Sequence, residues 1–155
     1  MTLASTSRVL RLTGLSAATL REWTSRRALI PADIRPRKKG SPARYSWQTV
    51  LIIRLAVALR NQFHVELKAQ KSLFDGLREA LSQHAFADLS GKKLAVTTGG
   101  AWSFTDEQTA DYPDDVILIR LGPHLQAIEA EFQLTGNAPG PPDNAILVAR
   151  RRRAR

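Results

Sequence analysis

Residues 13–31 read TGLSAATLREWTSRRALIP, a glycine, a serine and a cluster of arginines around one tryptophan. Gly14 ends whatever helix precedes it, and Ser16 is a natural N-cap for a helix running from Ala17 to about Arg27. Leu20 and Trp23 lie three apart and define a packing face, leaving Ala17, Ala18, Arg21, Glu22 and Ser25 outside. Upstream, residues 3–13 predict a short helix, capped by Ser5 or Thr6, with Val9 and Leu12 on one face. Two short helices joined by a tight glycine turn make a helix-turn-helix. Two small alanines at the start of the second helix leave its backbone free to approach a partner closely.

Downstream, residues 28–46 (ALIPADIRPRKKGSPARYS) carry three prolines and a glycine, which exclude a helix. The spacing predicts a small hairpin or loop with a positive tip at Lys38, Lys39, Gly40 and Ser41. Ser46 then caps a third helix from Trp47 to about Gln62, whose stretch VLIIRLAVAL is apolar nearly all round and therefore buried. A fourth helix is expected from Val65 to His84 or Ala85. Its stripe of Leu67, Phe74, Leu77 and Leu81, broadened by Leu73 and Ala80 and interrupted by Gly76, suits packing on its own domain or against a second copy.

Charge divides the 155-residue chain. Residues 1–71 hold fourteen Lys/Arg and three Asp/Glu, a net +11, whereas residues 72–149 hold four and eleven, a net −7. The last six residues, RRRRAR, add five arginines and bring the whole chain to +9. The basic half implies a polyanion, which charge alone does not resolve into DNA, RNA or an anionic membrane surface. A hydrophobic fraction of 43% supports a real core. No run of about eighteen apolar residues is present to span a membrane. With no cysteine there is no disulfide and no thiolate metal site. The N-terminus lacks the apolar core of a signal peptide, so a cytoplasmic protein is expected.

In the acidic half, KKLAVTTGGAWSFTD predicts two strands around Gly99-Gly100, with Val96, Trp102 and Phe104 turned inward. A third strand is expected in DDVILIRLG, followed by a helix opened by Gly122-Pro123 with an apolar stripe of Leu125, Ile128 and Phe132. The expected fold is therefore α+β: a winged helix-turn-helix over residues 1–64, a connecting or dimerising helix at 65–90, and a small hairpin–strand–helix domain at 91–136. That last domain is expected to contact protein rather than DNA, with a partner covering one face of its sheet. Residues 137–155 read as a linker and an arginine tail whose like charges oppose ordering.

No constellation looks catalytic. Asp114 and Asp115 are adjacent and fall on opposite faces of a strand. His64, His84 and His124 lack metal-ligand spacing, and Thr97-Thr98-Gly99-Gly100 lacks the lysine and helix of a phosphate loop. No enzyme activity, cofactor or metal is expected, and Trp23, Trp47 and Trp102 read as packing residues rather than base platforms.

Helix-turn-helix, wing, then a serine-capped helix is also the order of a known family. RLTGLSAATLREW, then ALIP, a basic loop, RYS and a buried helix resembles the DNA-binding domain of MerR-type transcriptional regulators over roughly residues 5–64. The tryptophan of WTSR is similar to the branch that includes light- and cobalamin-responsive regulators, although nothing in the chain resembles a cobalamin site. The resemblance implies that Thr19, Leu20 and Arg21 belong to a recognition helix whose arginine reaches DNA, that Trp23 supports that helix, and that Arg44 and Tyr45 end a wing lying against phosphate. The family's Gly-Gly-Tyr-Arg wing is here Gly40-Ser41-Pro42-Ala43-Arg44. The expected double-stranded DNA contacts are Ser16, Ala17, Ala18, Thr19, Arg21, Glu22, Ser25, Arg26, Arg37, Lys38, Lys39, Arg44 and Tyr45. The expected function is a sequence-specific regulator, homodimeric on a palindromic site. The alternatives are an antitoxin or adaptor that binds a protein through residues 91–136, and an architectural or recombination accessory factor.

Overall fold

In a computed structural model of the chain, residues 2–133 are described. The linker and arginine tail at 137–155, like residues 134–136, lie outside the described residues.

The chain opens with a two-residue strand, β1 (Ala4–Ser5), and helix α1 (Thr6–Thr13). Ser5 is the N-cap, its hydroxyl accepting from the Arg8 amide at 3.4 Å. Gly14, at φ 72°, ends α1 and returns its N–H to the Leu10 carbonyl at 2.9 Å. A left-handed conformation of this kind suits glycine because a Cβ would crowd the backbone. The Thr13 hydroxyl donates to the Val9 carbonyl and accepts from the Leu15 amide, stapling the turn. Ser16 then caps α2 (Ala17–Arg21), which continues as one π-helical turn, Glu22–Arg26.

The helix expected from residue 3 begins at Thr6 instead. Ala4 and Ser5 pair antiparallel with Tyr45 and Arg44 of β2 (Arg44–Tyr45), so the wing's returning strand takes the backbone groups that a longer helix would have used. Pattern within residues 3–13 cannot reveal a pairing partner forty residues away.

Helix α3 (Trp47–Phe63) is the centre of the molecule. Val50, Leu51, Ile52, Ile53, Leu55, Ala56 and Leu59 have no solvent exposure at all. Ser46 caps it, and α1 covers one side. Another side is covered by α4 (Lys71–Ser82), which follows a 3₁₀ turn at Leu67–Gln70. The stripe of Leu73, Phe74, Leu77 and Leu81 is buried inside the chain. It is therefore used for packing on its own domain and is not free for a second copy. A Cβ added at Gly76 would meet the Trp102 indole nitrogen at 3.0 Å, so the gap in the stripe is where the sheet comes close.

The sheet consists of β3 (Lys92–Thr97), β4 (Trp102–Asp106) and β5 (Val116–Arg120), antiparallel in the order β4-β3-β5. Leu94 pairs with Phe104 on one side and Ile119 on the other. Alternation turns Leu94, Val96, Trp102, Phe104, Ile117 and Ile119 to the inner face, as expected for Val96, Trp102 and Phe104. Helix α5 (Gly122–Phe132) follows β5 and buries Leu125, Ile128 and Phe132 against α3 and α1. The segments expected at 1–64, 65–90 and 91–136 thus share one buried cluster, which runs from Ala4 to Phe132.

One polar knot sits where α5 meets this core. Arg54 of α3 donates to the Leu12 carbonyl and, at 3.1 Å, to His124 Nδ1. Burial first, and then the Arg54 charge, lower the His124 pKa to about 4. In the unfolded chain the ring has its ordinary value of ~6.5, so between these two values the unfolded state binds more protons. The stability this site contributes is complete above about pH 6.5 and is lost as pH falls toward 4. Discounted for the ring's partial exposure, the loss by pH 5 is on the order of 1 kcal/mol. Replacing His124 by Gln should remove it. Thermal melts at pH 7 and pH 5 should then show the variant's Tm falling less than that of the wild type, by roughly 2–4 °C.

Candidate nucleic-acid interface

The outer side of α2 is built from small and cationic groups. Ala17, Ala18, Arg21 and Ser25 are exposed, while Leu20, Trp23 and Thr24 face the core. Ser16 donates its hydroxyl proton to the Thr19 hydroxyl at 2.9 Å and accepts from the Thr19 amide at 3.1 Å. Thr19 is therefore half-buried and occupied in capping. Beyond Arg21 the helix widens, and the Arg27 amide reaches the Glu22 carbonyl at 2.9 Å. The end of the widened turn is tied down from two sides. The Ile30 amide donates to the Trp23 carbonyl, and Lys71 Nζ donates to the Ala28 carbonyl. The Arg60 guanidinium lies 4.9 Å from the centre of the Trp23 ring, a cation–π contact that holds the tryptophan from its outer side.

The wing leaves the core at Ile34 and returns at Arg44, the two residues bridged by reciprocal backbone hydrogen bonds at 3.1 and 3.0 Å. Between them Arg35, Arg37, Lys38 and Lys39 are exposed, and the Ser41 amide closes a turn on the Lys38 carbonyl at 3.0 Å. The wing stands beside α2. A groove of about 210 Å³ runs between Ala17, Arg21 and Ser25 on the helix and Pro36, Ser41 and Pro42 on the wing. Leu20 and Tyr45 also contribute to its lining, Arg21 is its one charged residue, and the basic tip of the wing lies beyond.

The base of the wing is fixed by a cluster that sequence reasoning missed. Asp33 Oδ1 accepts from the Ser46 amide at 2.7 Å and from the Thr49 hydroxyl at 2.6 Å. Arg78, reaching across from α4, donates to the Pro31 carbonyl at 2.5 Å and to Thr49 Oγ1 at 3.2 Å, with its charge 3.9 Å from Asp33 Oδ2. One guanidinium thus joins the wing, the start of α3 and α4. The one signal in the sequence was an arginine four residues after Phe74 and three before Leu81, beside the apolar stripe of α4.

Two expected contact residues are placed otherwise. Tyr45 borders the groove but is only 2% exposed, because β2 is pinned to β1 and its side chain turns inward. Glu22 turns back along its own helix to Arg27 at 2.6 Å and Arg26 at 3.8 Å, away from the groove. Arg44 is half-buried and serves the wing through its backbone. The remaining expected residues lie on the helix face or the wing. Trp23 and Trp47 are buried, and Trp102 is half-buried against Gly76, all three in packing roles.

Residues 4–77, a little under half of the chain, match the model of a family described as MerR HTH family regulatory protein. This segment is a MerR-type helix-turn-helix domain. At the level of that family it is a DNA-binding domain of transcriptional regulators. A search of curated proteins found no match to the chain. Among the described residues no helix is long and apolar enough to cross a membrane.

Arg78 lies one residue beyond the matched segment, and Arg78→Met should leave the Pro31 carbonyl and the Asp33 carboxylate short of a donor. Urea denaturation should show a loss of about 1–3 kcal/mol. Limited trypsin digestion under native conditions should cut faster after Arg37, Lys38 or Lys39. Arg78→Lys should restore little of either, since an ammonium lacks the guanidinium's planar fork.

Proposed function

We propose that the protein is a sequence-specific DNA-binding transcriptional regulator that acts as a homodimer on a palindromic site in the cytoplasm. The observation that carries this is the pairing of α2 and the wing along one groove, with small residues at the helix start, Arg21 in its lining and the cations of the wing tip beyond it. A helix of this diameter fits the major groove, and the alanines allow its backbone to approach the bases. In this reading Arg21 offers its fork to a guanine edge, with Ser25 beside it. Arg26, Arg37, Lys38 and Lys39 sit on flexible or peripheral positions and neutralise phosphate. Asp33 and Arg78 touch no DNA and keep the wing at its distance from the helix.

Two-fold symmetry follows from the size of the module. One helix and one wing read few base pairs, and a second copy doubles the site at a fixed spacing. With the α4 stripe consumed inside the chain, the contact between copies must come from another surface.

Gel-shift titrations at several salt concentrations test this reading. Arg21→Ala should cost about 1–3 kcal/mol per half-site and relax base preference at one position of each. Lys39→Ala should weaken all sequences alike and reduce the log–log salt slope by about two, one for each copy. An Arg21→Ala protein with wild-type affinity and preference would overturn the recognition-helix assignment.

A further inference from the structure

The homodimer reading leaves the surface between copies to be named, and the sheet has a free edge suited to it. This inference rests on the homodimer reading above and names its interface. Strand β5 pairs with β3 on one side only, and among the described residues nothing pairs with its other edge. The Leu121 amide donates to the Lys92 carbonyl at 3.1 Å, and Leu94 faces Ile119 in the register. Hydrogen bonding toward β3 therefore alternates through residues 121, 119 and 117. The backbone N–H and C=O groups of Val116, Leu118 and Arg120 point outward along the edge.

Such an edge is a template for another strand, and proteins usually blunt it with charge, proline or a bulge. β5 has none of these across Val116, Ile117, Leu118 and Ile119, and Leu118 is among the few exposed large apolar side chains. The opposite edge strand, β4, ends in Asp106 and carries Ser103 and Thr105 on the sheet face where β5 carries Leu118 and Arg120.

We infer that two copies of the chain join β5 to β5 antiparallel, about a two-fold axis at Leu118, to make one six-stranded sheet. This register is the self-complementary one: Leu118 meets Leu118 of the second copy, and Val116 meets Arg120. All three residues present outward backbone groups, so donors and acceptors match. Charge matches as well. Arg120 of one copy lies beside Val116 of the other, next to Asp115 and Asp114, the two carboxylates that precede it. Neither aspartate has an ion pair within its own chain among the described residues. Arg120 is held only by a long, exposed contact to Glu107 at 3.4 Å.

The test is sedimentation of the full chain at tens of micromolar. The wild type should be dimeric. Leu118→Pro removes an amide that β3 does not use, so circular dichroism should be unchanged while dimer affinity falls by about 100-fold or more. Should the proline variant fail to fold, Leu118→Lys, which sets like charges across the axis, should give the monomer instead. In the cysteine-free chain, Leu118→Cys should form a covalent dimer on mild oxidation, because facing residues of a bonded antiparallel pair lie about 5.5 Å apart. Ser103→Cys should not. A monomeric wild type, or a Leu118→Lys protein that stays dimeric with no disulfide at position 118, overturns the proposal. Binding of the monomeric variant to a single half-site separates the two readings. Retained half-site binding, with about half the salt slope of the wild-type dimer on its full site, is expected if only the edge is lost, and its absence would count against the DNA assignment instead.

Discussion

Helix α3 sets the terms for the whole molecule. A seventeen-residue helix with almost no solvent-facing side must be enclosed from several directions, and no single neighbour can do this. The helix-turn-helix covers one flank through α1, α4 covers a second, and α5 with β5 covers a third. The acidic half is thus part of the enclosure of the DNA-binding half. At about 25 cal/mol per Å² of apolar surface, leaving such a helix uncovered would cost more than the margin by which a small domain stays folded.

The same packing brings opposite charges into contact at the seam. Glu131 of α5 lies 3.3 Å from Arg8 and 3.0 Å from Arg11 of α1. Exposed pairs of this kind contribute little to stability. Their larger effect is to the surface field, since two of the basic half's arginines are matched at home. Arg21 lines the groove, and Arg37, Lys38 and Lys39 stay exposed on the wing tip beyond it. Arg54 performs an inward version of the same task, binding the end of α1 to the start of α5 through Leu12 and His124.

Precision at the groove comes from residues that do not line it. Trp23 is sandwiched between the core and the Arg60 guanidinium, which fixes the roll of α2. Arg78 and Asp33 fix where the wing departs, and the β1–β2 pair fixes where it returns. A wing rich in proline, glycine and lysine has little packing of its own, so its placement depends on these two anchors. Each anchor joins segments far apart in the chain, which makes the wing's position a property of the folded core.

Local chemistry in the sequence determined a good deal. Ser16 and Ser46 announce helix starts, Gly14 a helix end, and the apolar run after Trp47 a buried helix, because caps and periodicity act over a few residues. The strands around Gly99-Gly100, the third strand and the helix after Gly122-Pro123 were legible for the same reason, as was the exposure of Arg21 and Ser25 on the outer side of the second helix. Tertiary structure alone decided the rest. Ala4 and Ser5 became a strand because Arg44 and Tyr45 arrived beside them, and the same pairing drew Tyr45 into the core. Gly76, read as an interruption, proved to be the place where Trp102 lies against α4. Arg78 acquired its role only when α4 brought it to Asp33, and the α4 stripe found its partner in α3 of the same chain. Periodicity states that a face is apolar, whereas which surface meets it depends on contacts between distant segments, and these exist only once the chain has folded.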